Sequence, residues 1–191
     1  MHWGAEVDAV YSPVEYWNPM RSNRGITPLH LAVQRPDAIR LVDVLLTAGA
    51  SVQARHSHAG WTPVMYAART AEDPWVLMAL ANGGADVSDR DEDGNTVLHI
   101  AAAYDRSPNI LSFLIETGAD PDATNDSGET PLHQAAWRAT DADAIRGLVA
   151  AAEAPCQAHE GDAPVSMLGE NAALREDDRL VRLFHETCAE E

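Results

Sequence analysis

The chain has 191 residues, a length that fits one large domain or two small ones. Apolar residues make up 46% and aromatics only 6%, while 30 acids against 13 bases leave a net charge of −17. Acidity of that size argues against direct binding to DNA or RNA, whose affinity comes from neutralised phosphates, and no run approaches the ~18 apolar residues of a membrane span.

All 13 bases are arginine, and lysine is absent. The acidic balance fits either a solubilising surface or a face that docks a basic partner. The first residues, MHWGAEVDAVYSP, have no basic start and no apolar run long enough for a signal peptide. Cys156 and Cys188 fit no metal spacing. Reduced thiols in a cytoplasm are the default, with one disulfide left open. The expectation is a cytoplasmic, soluble, monomeric chain without cofactor or metal.

In chain order, residues 1–22 match nothing downstream. A short helix around Ala5–Val10 is predicted there, then a Pro13–Pro19 connector, with Trp3, Tyr11, Tyr16 and Trp17 close together. The reading is an N-terminal cap, with a separate binding segment as the alternative. From residue 23 a period sets in. Asn23–Gln34 reads NRGITPLHLAVQ, Ser57–Arg69 SHAGWTPVMYAAR, Asp91–Ala103 DEDGNTVLHIAAA and Asp126–Arg138 DSGETPLHQAAWR. Their threonines are Thr27, Thr62, Thr96 and Thr130, and Gly49-Ala50, Gly84-Ala85 and Gly118-Ala119 keep the same phase. A period in the mid-thirties means a stacked array of units, each unable to bury its apolar face alone.

Within each copy the threonine caps a helix, and Pro28, Pro63 and Pro131 take its first position, where no N–H is needed. These inner helices are rich in alanine, which lets neighbours approach closely. The predicted outer helices, Ile39–Leu46, Val76–Ala81, Ile110–Ile115 and Ala144–Ala151, are bulkier. Narrow inside and wide outside predicts a curved stack with a concave face. Each Gly-Ala word ends its outer helix through a left-handed glycine, and an extended, hairpin-like tip leads to the next copy. Residues 157–191 read as a degenerate fifth copy, with a helix over Arg179–Phe184, made polar outside by Glu176, Asp177, Asp178 and Arg182. The division is 1–22 as cap or extension, 23–156 as four repeats and 157–191 as C-terminal cap.

GITPLHLA, GWTPVMYA, GNTVLHIA and GETPLHQA, with the Gly-Ala words, resemble ankyrin repeats. The resemblance covers about residues 20–155 strongly. It implies an all-α solenoid of helix–turn–helix–hairpin units whose tips and inner helices hold a partner protein. It also implies that His30, His99 and His133 hydrogen-bond within their own repeat and to a neighbour. There are departures: Met65 stands at the histidine position, Val97 at a proline, and the turn between helices is one residue longer than the usual pattern and lacks its glycine.

Chemical motifs are sparse. Asp89, Asp91, Asp93 and Gly94 match the start of a calcium loop, but Ile100 stands where its bidentate glutamate belongs. His56 and His58 flank Ser57 in an exposed tip, short of the three or four ligands a metal site needs. No phosphate loop or nucleophile motif occurs. What remains is the concave face. The family's variable positions fall on Arg24, Arg35, Arg55, His58, Trp61, Arg69, Arg90, Asn95, Tyr104, Trp137 and Arg138, six of them arginine. Trp and Arg most often carry binding energy. The expected function is a non-enzymatic protein-binding module whose partner presents an acidic or extended segment. The alternative is an acidic inhibitor or immunity-type protein that neutralises a basic toxin or nuclease.

Overall fold

Each copy begins the same way because each threonine sits in the same backbone state. Thr27, Thr62, Thr96 and Thr130 are extended, with φ from −82° to −93° and ψ from 165° to 171°, and each caps an inner helix. The computed structural model describes residues 7, 8, 25–35, 37–57, 59–72, 74–156, 163–174 and 176–188. The helix expected at Ala5–Val10, the Pro13–Pro19 connector, and Arg24 and His58 lie wholly or mostly outside these residues.

The inner helices are α1 (Pro28–Ala32), α3 (Pro63–Thr70), α5 (Val97–Ala103), α7 (Pro131–Arg138) and α9 (Pro164–Glu170). The outer helices are α2 (Ala38–Thr47), α4 (Trp75–Asn82), α6 (Pro108–Glu116), α8 (Ala142–Ala151) and α10 (Asp178–Cys188). Successive inner helices pack on one another from α1 through α9, and α2 packs on α4 as α6 does on α8. Among the described residues there is no strand, only an antiparallel bridge between Arg90 and Thr96 in one tip.

The core runs through the stack as columns. Leu29, Val64, Leu98 and Leu132, the second residues of α1, α3, α5 and α7, are all buried, as are Ala67, Ala68, Ala101, Ala102, Ala135 and Ala136 between inner helices. Alanine contributes little area, so cohesion comes mainly from the large outer-helix residues. Val42, Leu77, Leu80, Ile110, Leu114, Ile145 and Leu148 are buried, and each such aliphatic side chain is worth ~1.5–3 kcal/mol. Leu180 and Phe184 extend that column from α10. At the opposite end Leu31, Leu41 and Val44 stay exposed, and the Asp8 carboxylate accepts from the Ser51 N–H at 3.0 Å.

The longer turn between helices has a physical account. Asp105 takes the left-handed conformation (φ 54°) that a glycine would otherwise supply, and its carboxylate accepts from the Thr140 N–H and hydroxyl one layer on. Arg106 donates to the Ala71 carbonyl at 3.1 Å, and the Asn171 amide to the carbonyls of Ala136 and Ala139. The extra length is used to stitch layers together. Reduced cysteines were the default from sequence, and the structure corrects this: Cys156, just after α8, and Cys188, at the end of α10, form a disulfide.

Candidate functional site

The repeated histidine does structural work. The backbone N–H of Thr27 donates to His30 Nδ1 at 3.1 Å, the Thr27 hydroxyl lies 2.9 Å from the same nitrogen, and His30 Nε2 is 3.1 Å from the Trp61 carbonyl of the next tip. His99 repeats this with Thr96 and the Glu129 carbonyl, and His133 bonds Thr130. One imidazole thus closes its own helix start and ties it to the following layer. Burial pushes His30 and His99 below the ordinary imidazole range, offset in part by the carbonyls of Trp61 and Glu129. Met65 breaks the pattern, since its sulfur stands 3.5 Å from the Thr62 N–H and leaves the buried Thr62 hydroxyl without a partner.

The tips carry a second ladder. Arg55 donates to the carbonyls of Gly60, in its own tip, and Arg90, in the next, and pairs with Asp89 at 2.7 Å. Arg90 repeats the move with the carbonyls of Gly94 and Thr124. Asn95 accepts from the Asn125 amide. Three of the residues expected on the recognition face therefore spend much of their hydrogen-bonding capacity on joining one tip to another. Arg35 pairs with the exposed Asp37 in the helix-linking turn. His56 is buried rather than exposed, because its Nδ1 meets the Tyr66 hydroxyl at 2.9 Å.

The remaining residues gather into one feature. Trp61, half-buried, packs edge-on against Tyr66 at 5.4 Å and against Tyr104 at 6.3 Å between ring centres. Its indole N–H donates to Asp91 at 2.9 Å, which fixes the ring. Over this pair lies the exposed Arg69 guanidinium, 5.9 Å from the Trp61 centre and 5.1 Å from that of Tyr104. Ring faces attract a cation, so the guanidinium is held between two layers, and no carboxylate pairs with it among the described residues. Two layers on from Arg69, Trp137 stands in register with it, seven residues after its own threonine, and is 59% exposed, with exposed Arg138 beside it. Burial raises the Tyr66 phenol, and Arg69 draws it partly back.

Sequence reasoning missed Tyr66 and Asp91, which support Trp61 from below and from the side. Asp91 carried a signal, an acid in the tip that follows the half-buried tryptophan. Tyr66 carried none, because an aromatic four residues after the cap reads as core.

Threonine-capped helix pairs stacked in register, inner helix on inner helix, define a helical repeat protein. The family model for ankyrin repeats, in three copies, matches residues 7–91 and residues 70–158. The chain belongs to the ankyrin repeat family. No curated protein matches the chain. Ankyrin repeats are generally protein–protein interaction modules and typically not enzymes, and among the described residues no helix is long and apolar enough to cross a membrane.

Proposed function

We propose that this chain is a non-enzymatic module that binds a partner protein through the inner-helix face, centred on Trp61, Arg69 and Tyr104 and extended by Trp137 and Arg138. The observation that carries the reading is the Arg69 guanidinium, fixed over two aromatic rings and paired with no carboxylate among the described residues. An arginine pre-ordered by stacking loses little freedom when a partner's carboxylate arrives, and its planar fork takes that group bidentately. The partner therefore presents an acidic segment laid along the face. Arg55, Arg90 and Asn95 serve this surface mainly by holding the tips in register, and Arg35 lies at its margin, paired with Asp37. Residues 1–22 and 157–191 act as caps, and the module works as a monomer.

The acidic tips support a second reading, an inhibitor of a basic toxin or nuclease. Glu92, Asp93 and Asp126 are exposed there, with no cation paired to them among the described residues. The disulfide favours an oxidising compartment over the cytoplasm that the sequence pointed to, because such bonds rarely persist among reducing thiols.

The test is capture of partners from the source lysate at low and high salt, with wild type and an Arg69→Glu/Trp137→Ala variant. A partner retained at moderate salt and lost with the variant supports the inner face. One lost to salt and indifferent to the variant supports the acidic tips.

A further inference from the structure

The arginines of the inner-helix face divide by what their guanidinium groups already hold. Arg35 pairs with Asp37, and Arg55 and Arg90 are spent largely on tip carbonyls. Exposed Arg69 lies over the rings of Trp61 and Tyr104, and exposed Arg138 follows Trp137 at the end of α7. Neither of these two pairs with a carboxylate among the described residues. In a chain with a net charge of −17, two such cations on one face are a local exception.

Their spacing follows from the stack. The position seven residues after the helix cap is Gln34, Arg69, Ala103, Trp137 and Glu170 in successive layers. Gln34 is turned back on the His30 carbonyl at 2.8 Å, and small Ala103 leaves room between the two cationic layers. Exposed Glu170 ends the row and forms no ion pair among the described residues. The row therefore runs cation, gap, ring with cation, anion. Packed helices stand ~8–10 Å apart, so two layers set the arginine-bearing helices roughly 16–20 Å apart. An extended chain rising ~3.3 Å per residue covers that in about five or six residues.

Resting on the inner-face reading above, we propose that the face selects its partner by the spacing of two acids. The partner segment is extended and carries acidic residues five or six positions apart, one on Arg69 and the other on Arg138, with an apolar side chain beside the second against Trp137. Each guanidinium takes its carboxylate in a charge-assisted, two-pronged contact. Glu170 repels a further acid beyond the second, which sets where the acidic stretch must end.

The test uses the full chain, ¹⁵N-labelled, with affinities read from the shifts of the Trp61 and Trp137 indole N–H resonances. The probes are capped peptides with two glutamates three, six or nine positions apart on a proline spacer, a leucine before the second glutamate, and a fourth peptide with that glutamate replaced by glutamine. Polyproline turns once every three residues at ~3.1 Å each, so all three spacings present both acids on one side and differ only in reach, roughly 9, 19 and 28 Å. The six-position peptide is expected to bind about tenfold or more tighter than the other three, because it alone closes both contacts at once. Arg69→Gln and Arg138→Gln, both exposed changes, should each bring it down to the level of the single-acid peptide. Equal affinity across the spacings, a preference for three or nine, a preference for six that survives Arg138→Gln, or no binding by any peptide overturns the proposal. Binding that ignores spacing yet still needs Arg69 overturns the spacing alone and leaves the inner face as the partner surface. The inner face itself falls only if partner capture is also indifferent to Arg69→Glu/Trp137→Ala.

Discussion

Met65→His is expected to stabilise the protein. Met65 is fully buried in α3, at the position held by His30, His99 and His133 in the other copies. There the Thr62 hydroxyl has no partner and the Thr62 N–H has only a sulfur at 3.5 Å. A histidine would accept from that N–H and hydroxyl, as His30 does at 3.1 and 2.9 Å, and its Nε2 would reach the Asn95 carbonyl, which stands where the Trp61 and Glu129 carbonyls stand in neighbouring layers. Relieving a buried unsatisfied hydroxyl and adding a layer-to-layer hydrogen bond is worth ~2–3 kcal/mol gross. Losing the methionine's apolar burial returns about 1 kcal/mol of it. The net gain of about 1–2 kcal/mol corresponds to a Tm rise of roughly 2–8 °C for a chain of this size. Calorimetry at pH 7.5 reads it directly. A Tm equal to or below wild type would refute the view that the histidine column joins the layers.

Three further outcomes follow from the same geometry. His30 and His99 have folded-state pKa values below the ordinary 6.5, so the unfolded chain takes up protons first. Their contribution to stability is complete above about pH 6.5 and is lost as pH falls below it, so the urea midpoint should be lower at pH 5.5 than at pH 7.5, and a flat profile would count against their buried, neutral state. Gly94→Ala should cost about 2 kcal/mol or more by urea denaturation, since Gly94 has φ +75° and an added Cβ would come within 2.8 Å of the Asp126 backbone nitrogen. Cys156→Ser with Cys188→Ser opens a link across a sequence separation of 32 and should cost ~2–4 kcal/mol, with hydrogen exchange rising chiefly in α9 and α10.

Much of the fold was legible because it is periodic. A threonine and a left-handed glycine recurring in phase mark where each helix must start and stop, and Gly49, Gly84 and Gly118 do have φ between 89° and 105°. The outer helices run a few residues longer than their apolar cores, since α6 begins at Pro108 and α8 at Ala142. The site was less legible. Arg55 and Arg69 look alike in a sequence, yet one guanidinium is turned back on tip carbonyls and the other laid over two rings, and only the geometry of neighbouring layers separates them. His56 is drawn inward by Tyr66, ten residues away, a pairing no local pattern announces. The pairing of Cys156 with Cys188 depends on how α10 returns along the end of the stack.

The most direct measurement is the affinity of the captured partner for wild type and for Arg69→Ala with Trp137→Ala, by calorimetry at physiological salt and with far-UV circular dichroism matched. Removing a stacked arginine and an exposed tryptophan from a shared contact is expected to weaken binding by about thirtyfold or more. An affinity within about twofold of wild type would contradict recognition through the inner-helix face.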